Sequence, residues 1–351
     1  MDHREHARAR GRRKCAAVAV LVFCRAIGGS LLAVWTAAVL AQTNGASNPV
    51  LITPLGLDLH LPAPLDNPIT SEKLTLGARL FEETRLSADG RTSCASCHQP
   101  ERAFTDGRRV SRGVFGRDGR RNVPSILNRG YGTAFAWDGR AASIEDQVRR
   151  AISGNSDLGL PVAAAADRLT RDAAYAAMFD AAFGAPVSED RLVRAIATFV
   201  RGTLSGDSPF DRFLNGDAMA LSASARRGYD VFTRQARCSR CHAGPLLTDD
   251  DLHNTGVSWG RDAGRFEVTG LPQVRGRFKT PSLRNVTVTA PYMHDGSITT
   301  LEGVVTFYNK GGGRNPNLDP AIRALRLTSA ERSDLLAFLR TLQGERNLTQ
   351  N

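Results

Sequence analysis

Apolar residues recur at helical spacing at corresponding places in the two halves of the chain. Leu80 and Phe81 lie on the apolar face of a predicted helix that begins near Ser71, which is the residue type expected as its N-terminal cap. The apolar patterns of residues 198–201 and 337–340 predict two further helices, and each of them closes one half of the chain. The pattern therefore predicts a mainly α-helical protein.

Three short patterns occur twice, and the two copies are always 157 residues apart. A Pro-Ser pair begins each copy, an Asp-Gly pair follows fourteen residues after the proline, and an aliphatic-Glu pair follows six residues after the aspartate. Three matches in one register indicate a duplicated module. The copies are Pro124-Ser125, Asp138-Gly139 and Ile144-Glu145 in the first half, and Pro281-Ser282, Asp295-Gly296 and Leu301-Glu302 in the second.

The repeat divides the chain into four predicted segments. Residues 1–41 form a signal peptide, residues 42–70 a proline-rich extended arm, and residues 71–205 and 206–351 the two copies of the module. The signal peptide is predicted from an Arg-rich start, an apolar stretch and small residues before the expected cleavage point. The apolar stretch is also long enough to act as a retained membrane anchor. Both alternatives place the folded part outside the cytoplasm.

The motif Cys-x-x-Cys-His occurs twice and contains all the cysteines beyond residue 24. Two thiols one helical turn apart can each add to a vinyl group of one haem, and the adjacent histidine can ligate its iron. A thioredoxin-like redox pair or a zinc site is the alternative, but a zinc site with four cysteines would leave both histidines without a role. The sequence predicts two covalent c-type haems in two tandem cytochrome c-like domains, with long loops that cover the haems. The motifs comprise Cys94, Cys97 and His98 in the first half, and Cys238, Cys241 and His242 in the second.

The charge of the chain does not indicate a nucleic-acid partner. The full chain has a formal net charge of +11, and removal of residues 1–41 takes away seven basic and two acidic residues, which leaves +6. Two haems bring four propionates that need arginine partners, and a mildly basic solvated surface is the alternative explanation. We therefore expect no nucleic-acid partner.

The two halves differ at one informative position. At the repeat offset, Ala151 corresponds to Tyr308. Tyrosine can supply a phenolate oxygen to ferric iron, whereas alanine supplies no ligand. If this position faces the distal side of each haem, the second iron has two protein ligands, His242 and Tyr308, and the first has His98 alone. A core aromatic is the alternative for Tyr308. The rival ligands for the second iron are Met293 and His294.

An open haem iron calls for a small oxidant, hydrogen peroxide or O₂. Peroxide chemistry also needs a group near the iron that moves a proton between the two oxygens. Gln147 and Asp157 are close enough in sequence to Ala151 to line the same pocket. The alternative is an exposed helix glutamine and a loop aspartate.

The haem motifs and four further motifs together resemble the bacterial di-haem cytochrome c peroxidase and MauG family. The resemblance spans about residues 71–345. It implies a high-spin N-terminal haem that meets peroxide and a C-terminal haem that handles electrons. The further motifs are Arg121-Asn122-Val123-Pro124-Ser125, Trp137-Asp138-Gly139-Arg140-Ala141, Pro281-Ser282-Leu283-Arg284-Asn285-Val286 and Thr289-Ala290-Pro291-Tyr292-Met293-His294-Asp295-Gly296.

The resemblance also implies roles for residues between the haems. Trp137 matches a tryptophan that lies between the two haems of the family. Asn122, Thr289 and Pro291 match the protein ligands of a calcium ion, the last two through their backbone carbonyls. An oxygen-only site of this kind suits a hard cation.

Two positions resemble the MauG-like branch rather than the peroxidase branch of the family. Tyr308 stands where the peroxidase branch has methionine. Val114 stands where that branch carries a histidine that blocks the first haem until the second is reduced. One position departs from the family pattern: Asp157, ten residues after Gln147, replaces a catalytic glutamate, so the reach of its shorter side chain is in question.

These observations lead to two main hypotheses. The first is an exported, periplasmic di-haem peroxidase that reduces hydrogen peroxide at the N-terminal haem, with electrons relayed through the C-terminal haem from a small cytochrome c or cupredoxin. The alternative is a maturation enzyme that oxidises Trp or Tyr residues of a partner protein. Plain electron carriage is disfavoured by the missing sixth ligand at the first haem. A homodimer is compatible with either hypothesis.

Overall fold

The computed structural model describes residues 51–257 and 260–347, with side chains up to residue 345. The predicted signal peptide, residues 1–41, lies outside the described residues. Residues 51–70 of the predicted arm contain turns but neither helix nor strand. Within the described residues, no helix is both long enough and apolar enough to cross a membrane.

Helices dominate the described part of the chain, and the few strands are short. The α-helices there are α1 Ser71–Glu82, α2 Cys94–Cys97, α3 Ile144–Ser153, α4 Val162–Asp167, α5 Ala173–Phe183, α6 Glu189–Gly202, α7 Pro209–Leu214, α8 Ala223–Asp230, α9 Phe266–Thr269, α10 Leu301–Asn309 and α11 Ser329–Arg340. The strands there are β1 Leu204–Gly206, β2 Leu252–His253, β3 Phe278–Lys279 and β4 Glu345–Asn347. They form two antiparallel pairs, β1 with β4 and β2 with β3. The prediction of a helix-rich fold is confirmed.

The first helix begins where the sequence predicts, but its cap is a different residue. Ser71 is the first helical residue, and Thr70 is the cap. Thr70 has an extended backbone, and its hydroxyl accepts a hydrogen bond from the backbone N–H of Lys73 at 3.3 Å. The prediction of Ser71 as the cap is therefore wrong, because the neighbouring hydroxyl satisfies the free N–H group.

Each half of the chain has its own hydrophobic core. One cluster draws its buried residues from positions 76–200, and the other from positions 210–342. In both cores the helix before the haem motif packs on the closing helix at a glycine. A side chain at Gly77 would collide with the backbone oxygen of Ala195 in α6, and one at Gly228 with that of Asp334 in α11. The division into two cytochrome c-like domains stays a prediction.

Local geometry is repeated at the offset found in the sequence. Ser125 donates a hydrogen bond to the backbone oxygen of Ala103, and Ser282 donates one to that of Leu246, both at 2.6 Å. Helices α3 and α10, which begin at the repeated aliphatic-Glu pairs, each start after a hydroxyl cap. The two copies of the repeat therefore have similar loops, which precede the equivalent helices α3 and α10.

The two halves meet near the predicted boundary at residues 205 and 206, where two repeated asparagines converge on one serine. Asn128 and Asn285 both adopt the left-handed conformation, with φ of 61° and 59°. The side chain of Asn128 bonds both backbone groups of Ser205 in β1, at 2.8 and 2.9 Å. The amide of Asn285 donates to the hydroxyl of the same serine at 2.7 Å. Strand β1 in turn pairs with β4, so the ends of the two halves are joined.

A buried ion pair strengthens the same region. Arg284 contacts Asp211 at 2.8 Å, and their side chains are only 4% and 2% exposed. Arg284 also donates to the backbone oxygen of Gly56 at 2.8 Å. Burial opposes ionisation of Asp211, but the guanidinium outweighs it and lowers the pKa of this carboxyl. The pair thus ties α7 and the N-terminal arm to the repeated loop that carries Arg284.

Candidate functional site

One cavity of about 960 Å³ is lined by both Cys-x-x-Cys-His motifs. Its volume lies at the upper end of the range for ligand-binding pockets, about 300–1,000 Å³. Besides the two motifs, residues 119–127 and 278–286 of the repeated loops contribute to its wall. The two predicted haem sites therefore share one continuous space rather than two separate pockets.

Each motif folds into a tight turn that orders its histidine. Cys94–Cys97 forms the single turn α2, and Cys238–Arg240 forms a 3₁₀ turn. In each turn, the backbone N–H of the histidine donates to the backbone oxygen of the first cysteine at 2.9 Å. This geometry carries both sulfurs and the imidazole to the cavity wall.

Both histidines are fixed by a backbone carbonyl. The Nδ1 of His98 lies 3.0 Å from the oxygen of Phe104, and that of His242 lies 3.0 Å from the oxygen of Leu247. An Nδ1–H donated to a carbonyl is the usual way in which a metal-binding histidine presents its Nε2. Burial lowers the pKa of His98 and lowers that of His242 to about 4, so both rings are neutral and able to act as ligands.

The donor set fits c-type haem better than zinc. Burial raises the pKa of Cys94 and of Cys238 to about 12, so these side chains are thiols rather than thiolates. In the part of the chain that the structure describes, close metal-ligating side chains form one group, which contains Cys241 but no other cysteine. The four sulfurs therefore do not gather around one point. The residues that would hold two haems are the cysteine pairs and the two carbonyl-bonded histidines.

The predicted distal residues lie at equivalent places on equivalent helices. Ala151 is on α3 and Tyr308 on α10, and both line the cavity. Burial raises the pKa of Tyr308 to about 12, against the effect of a hydrogen bond with Thr255. Met293 and His294 also line the cavity, and the ring of His294 is stacked on another aromatic ring. All the candidate ligands of the second iron thus reach the same space, and the choice among them stays a prediction.

Gln147 and Asp157 both line the cavity on the side of the first motif. The Oε1 of Gln147 is buried and has no hydrogen-bond partner among the described residues. Asp157 follows α3, and the surrounding protein lies close enough to its carboxyl to desolvate it. Burial raises the pKa of Asp157 to about 6, and Arg140 opposes this rise only in part. The two side chains therefore offer a polar acceptor and a carboxyl that can change its protonation state near neutral pH.

Val114 lies behind Asp157 rather than in the cavity wall. It is fully buried, and its backbone N–H donates to the backbone oxygen of Asp157 at 2.9 Å. Gly159 is its close neighbour: a Cβ added there would lie 3.0 Å from the Cγ1 of Val114. Val114 therefore packs against the loop that carries Asp157, and its hydrogen bond holds that loop in place.

Trp137 contacts both halves of the protein. Its Nε1–H donates to the backbone oxygen of Asn122 at 2.8 Å, and its own backbone oxygen accepts from the N–H of Lys279 at 2.7 Å. Its ring also lies 6.4 Å, centroid to centroid, from that of His294. The indole is thus fixed in the cavity wall at the contact between the halves.

The predicted calcium ligands are brought together in the same wall. Asn122, Thr289 and Pro291 all line the cavity. The backbone N–H of Asn122 donates to the oxygen of His294 at 2.7 Å, so its loop contacts the loop that carries Pro291. Its amide Nδ2 donates to the backbone oxygen of Arg108 at 2.8 Å, which leaves Oδ1 for a cation. Calcium binding itself stays a prediction.

Sequence reasoning did not single out His253, which also lines the cavity beside the second motif. Its ring lies between the carboxylates of Asp249 and Asp319. Asp319 is 66 residues away in the chain, so only the folded structure shows this cluster.

Comparison with known proteins agrees with this geometry. The family model described as di-haem cytochrome c peroxidase matches residues 71–219. The chain is 41% identical to the methylamine utilization protein MauG of Methylorubrum extorquens over 291 residues, which cover 81% of this chain and 82% of that protein. The chain belongs to the di-haem cytochrome c peroxidase family.

The relatives include proteins named MauG and proteins named cytochrome c peroxidase. The chain is 37% identical to the cytochrome-c peroxidase IdrP1 of Denitromonas iodatirespirans, over 89% of this chain and 92% of that protein. A crystal structure of a MauG-like protein associated with microbial copper homeostasis superimposes with a TM-score of 0.77 and 36% identity, over 85% of this chain and 95% of that one. Membership of the family implies an oxidoreductase with two c-type haems.

Proposed function

We propose that the chain is an exported di-haem peroxidase that reduces hydrogen peroxide at the first site and receives electrons through the second. The observation that carries the proposal is the shared cavity, in which Gln147 and Asp157 line the side of the first motif and Tyr308 the side of the second. When bound, the haems supply redox-active iron that can take up peroxide and electrons. Reduction of one hydrogen peroxide to two waters consumes two electrons and two protons.

Different residues of the chain carry out different parts of this proposed reaction. Ala151 has no donor atom, so it offers the first iron no ligand and leaves space for a small oxidant. Asp157 takes a proton from one peroxide oxygen and returns it to the other, and Gln147 orients the peroxide by hydrogen bonding. Trp137 holds a fixed position between the sites, and a small cytochrome c or cupredoxin delivers the electrons.

Two further features belong to the same proposal. His242 and Tyr308 are the protein ligands of the second iron, and Asn122, Thr289 and Pro291 hold a calcium ion between the sites. The protein works in the periplasm after export by residues 1–41. Support comes from the positions of these side chains in one wall and from the Arg-rich, then apolar start of the chain.

A second function, oxidation of Trp or Tyr residues in a partner protein, is favoured by two observations. Tyr308 reaches the cavity, as the MauG-like pattern requires, and the chain is 41% identical to a protein named MauG. Both functions use the same peroxide site, and they differ in where the electrons originate. An assay of peroxide consumption with a reduced small cytochrome c as the electron donor distinguishes the two functions.

The test introduces a ligand at the open position. Ala151→His should make the first haem low-spin and slow its reaction with peroxide, followed by stopped-flow absorption and by steady-state turnover with reduced cytochrome c. Ala151→Gly is the matched control and should keep the wild-type rate. Full peroxide turnover by Ala151→His would show that this position does not face the reacting site. Peroxide reaction without cytochrome turnover, together with oxidation of a partner protein detected by mass spectrometry, would favour the second function.

A further inference from the structure

Three charged side chains form a cluster against the second haem motif. The Nδ1 of His253 lies 2.6 Å from an oxygen of Asp319, and its Nε2 lies 2.9 Å from an oxygen of Asp249. His253 lines the cavity, and the cluster extends to Cys241: one donor atom each of Cys241, Asp249 and His253 lies within 4.8 Å of the others. The backbone N–H of Asp249 also donates to the oxygen of Cys241 at 2.7 Å. The cluster is therefore fixed to the motif itself.

The geometry favours a charged imidazole. A neutral imidazole has one N–H, whereas both ring nitrogens of His253 face carboxylate oxygens at hydrogen-bond distance. Contact with the Cys241 thiol and hydrogen bonds to Asp319 and Asp249 raise the pKa of His253 to about 10. If Cys241 formed a thioether, its thiol would no longer raise the pKa of His253, but the two carboxylates would still do so. The cluster then carries two negative charges and one positive charge.

The first half has no such cluster. Phe104 and Leu247 are equivalent, because each supplies the oxygen that accepts from a motif histidine. Two residues further on, Asp106 corresponds to Asp249. Asp106 is buried, and its Oδ2 has no hydrogen-bond partner among the described residues. The halves thus differ in the charges next to the Cys-x-x-Cys-His motif, as well as at Ala151 and Tyr308.

We propose that His253 is a positioning residue which, with Asp249 and Asp319, sets the reduction potential of the second haem. The net negative charge of the cluster stabilises the oxidised iron, and the imidazolium limits this effect. Two further positive charges, that of Lys279, which acts on His242, and that of Arg277, which acts on Asp319, are unchanged in every variant. The inference rests on the proposed function, in which the second site must hold an oxidising equivalent.

The test is a redox titration of the full chain with both haems attached. His253→Gln removes the positive charge and should lower the potential of the low-spin haem, whereas Asp319→Asn removes a negative charge and should raise it. Each shift should change the ferric-to-ferrous ratio at a fixed applied potential about tenfold, which corresponds to about 59 mV for one electron. Measurement at about pH 6 keeps an imidazole beside one carboxylate protonated. His60→Gln, at an exposed site, is the matched control and should leave the potential unchanged.

Opposite signs distinguish an electrostatic role from a structural one. Shifts of the same sign in both variants, or no shift in either, would overturn the proposal. If His253→Gln does not fold, Asp249→Asn replaces it, and both aspartate variants must raise the potential. The titration contains no peroxide, so a chain that fails to turn over peroxide would contradict the proposed function while this result still stands.

Discussion

Replacement of Asp157 is the most direct test of proton transfer at the first site. Asp157→Asn keeps the size of the side chain and removes its acid–base function. Positioned acid–base groups contribute about 10²-fold to 10⁴-fold to a rate. We therefore expect the second-order rate of reaction with peroxide to fall by about 10²-fold or more. Asp157→Glu, which restores the residue type of the family, is the control and should keep most of the rate.

The pKa of Asp157 gives the prediction a second, independent part. The carboxyl must be ionised to accept a proton, and burial raises its pKa to about 6. With that pKa, about one-tenth of the molecules are ionised at pH 5 and about nine-tenths at pH 7. The rate should therefore rise about tenfold between these pH values, level off above pH 8 and be lost as the pH falls through 6.

Stopped-flow absorption of the first haem measures both parts. Because burial disfavours the charged form of Asp157, the asparagine variant should unfold at the same temperature as the wild type at pH 8, or at a higher one. A loss of rate without a loss of stability would then be a catalytic effect. A variant rate within about twofold of the wild type, or a pH profile that survives the replacement with the same midpoint, would refute the reasoning.

Intact-mass analysis of the purified chain should show two covalently bound haems; a mass with one haem or none would contradict attachment at both motifs. Low-temperature EPR of the oxidised protein should show one high-spin and one low-spin ferric haem without prior reduction, and two low-spin signals would rule out an open first site. Tyr308→Phe should change the low-spin spectrum while Met293→Leu leaves it intact, and the reverse pattern would assign the ligand to Met293. Asp211→Asn should lower the free energy of unfolding by about 3–5 kcal/mol, because Arg284 would stay buried without its counter-charge. Denaturant unfolding measures this loss, and a change no larger than that of an exposed ion pair, about 1 kcal/mol, would contradict it.

The features that sequence could predict are those that local spacing determines. The haem motifs and the repeat offset were enough to predict a helix-rich fold. They also singled out Gln147, Asp157 and Tyr308, which the structure places in the cavity wall. The cap of α1 was predicted at Ser71 instead of Thr70, because the two residues are adjacent and both residue types cap helices well. His253 was missed because its partners come from two separate loops, and nothing in the local sequence brings them together.

The meeting of Asn128 and Asn285 at Ser205 has a consequence for the independence of the two repeats. A polypeptide that stopped before residue 205 would leave the amide of Asn128 without the backbone groups that it bonds. A polypeptide that began after it would deprive Asn285 of its hydroxyl partner and β4 of its neighbouring strand. Ser205 is the last residue of the first copy, so the first copy keeps the contact with Asn128, whereas the second copy depends on the first for the partner of Asn285. We therefore expect the second copy alone to be less stable than the same copy mixed with the first, and fragment complementation can measure this difference.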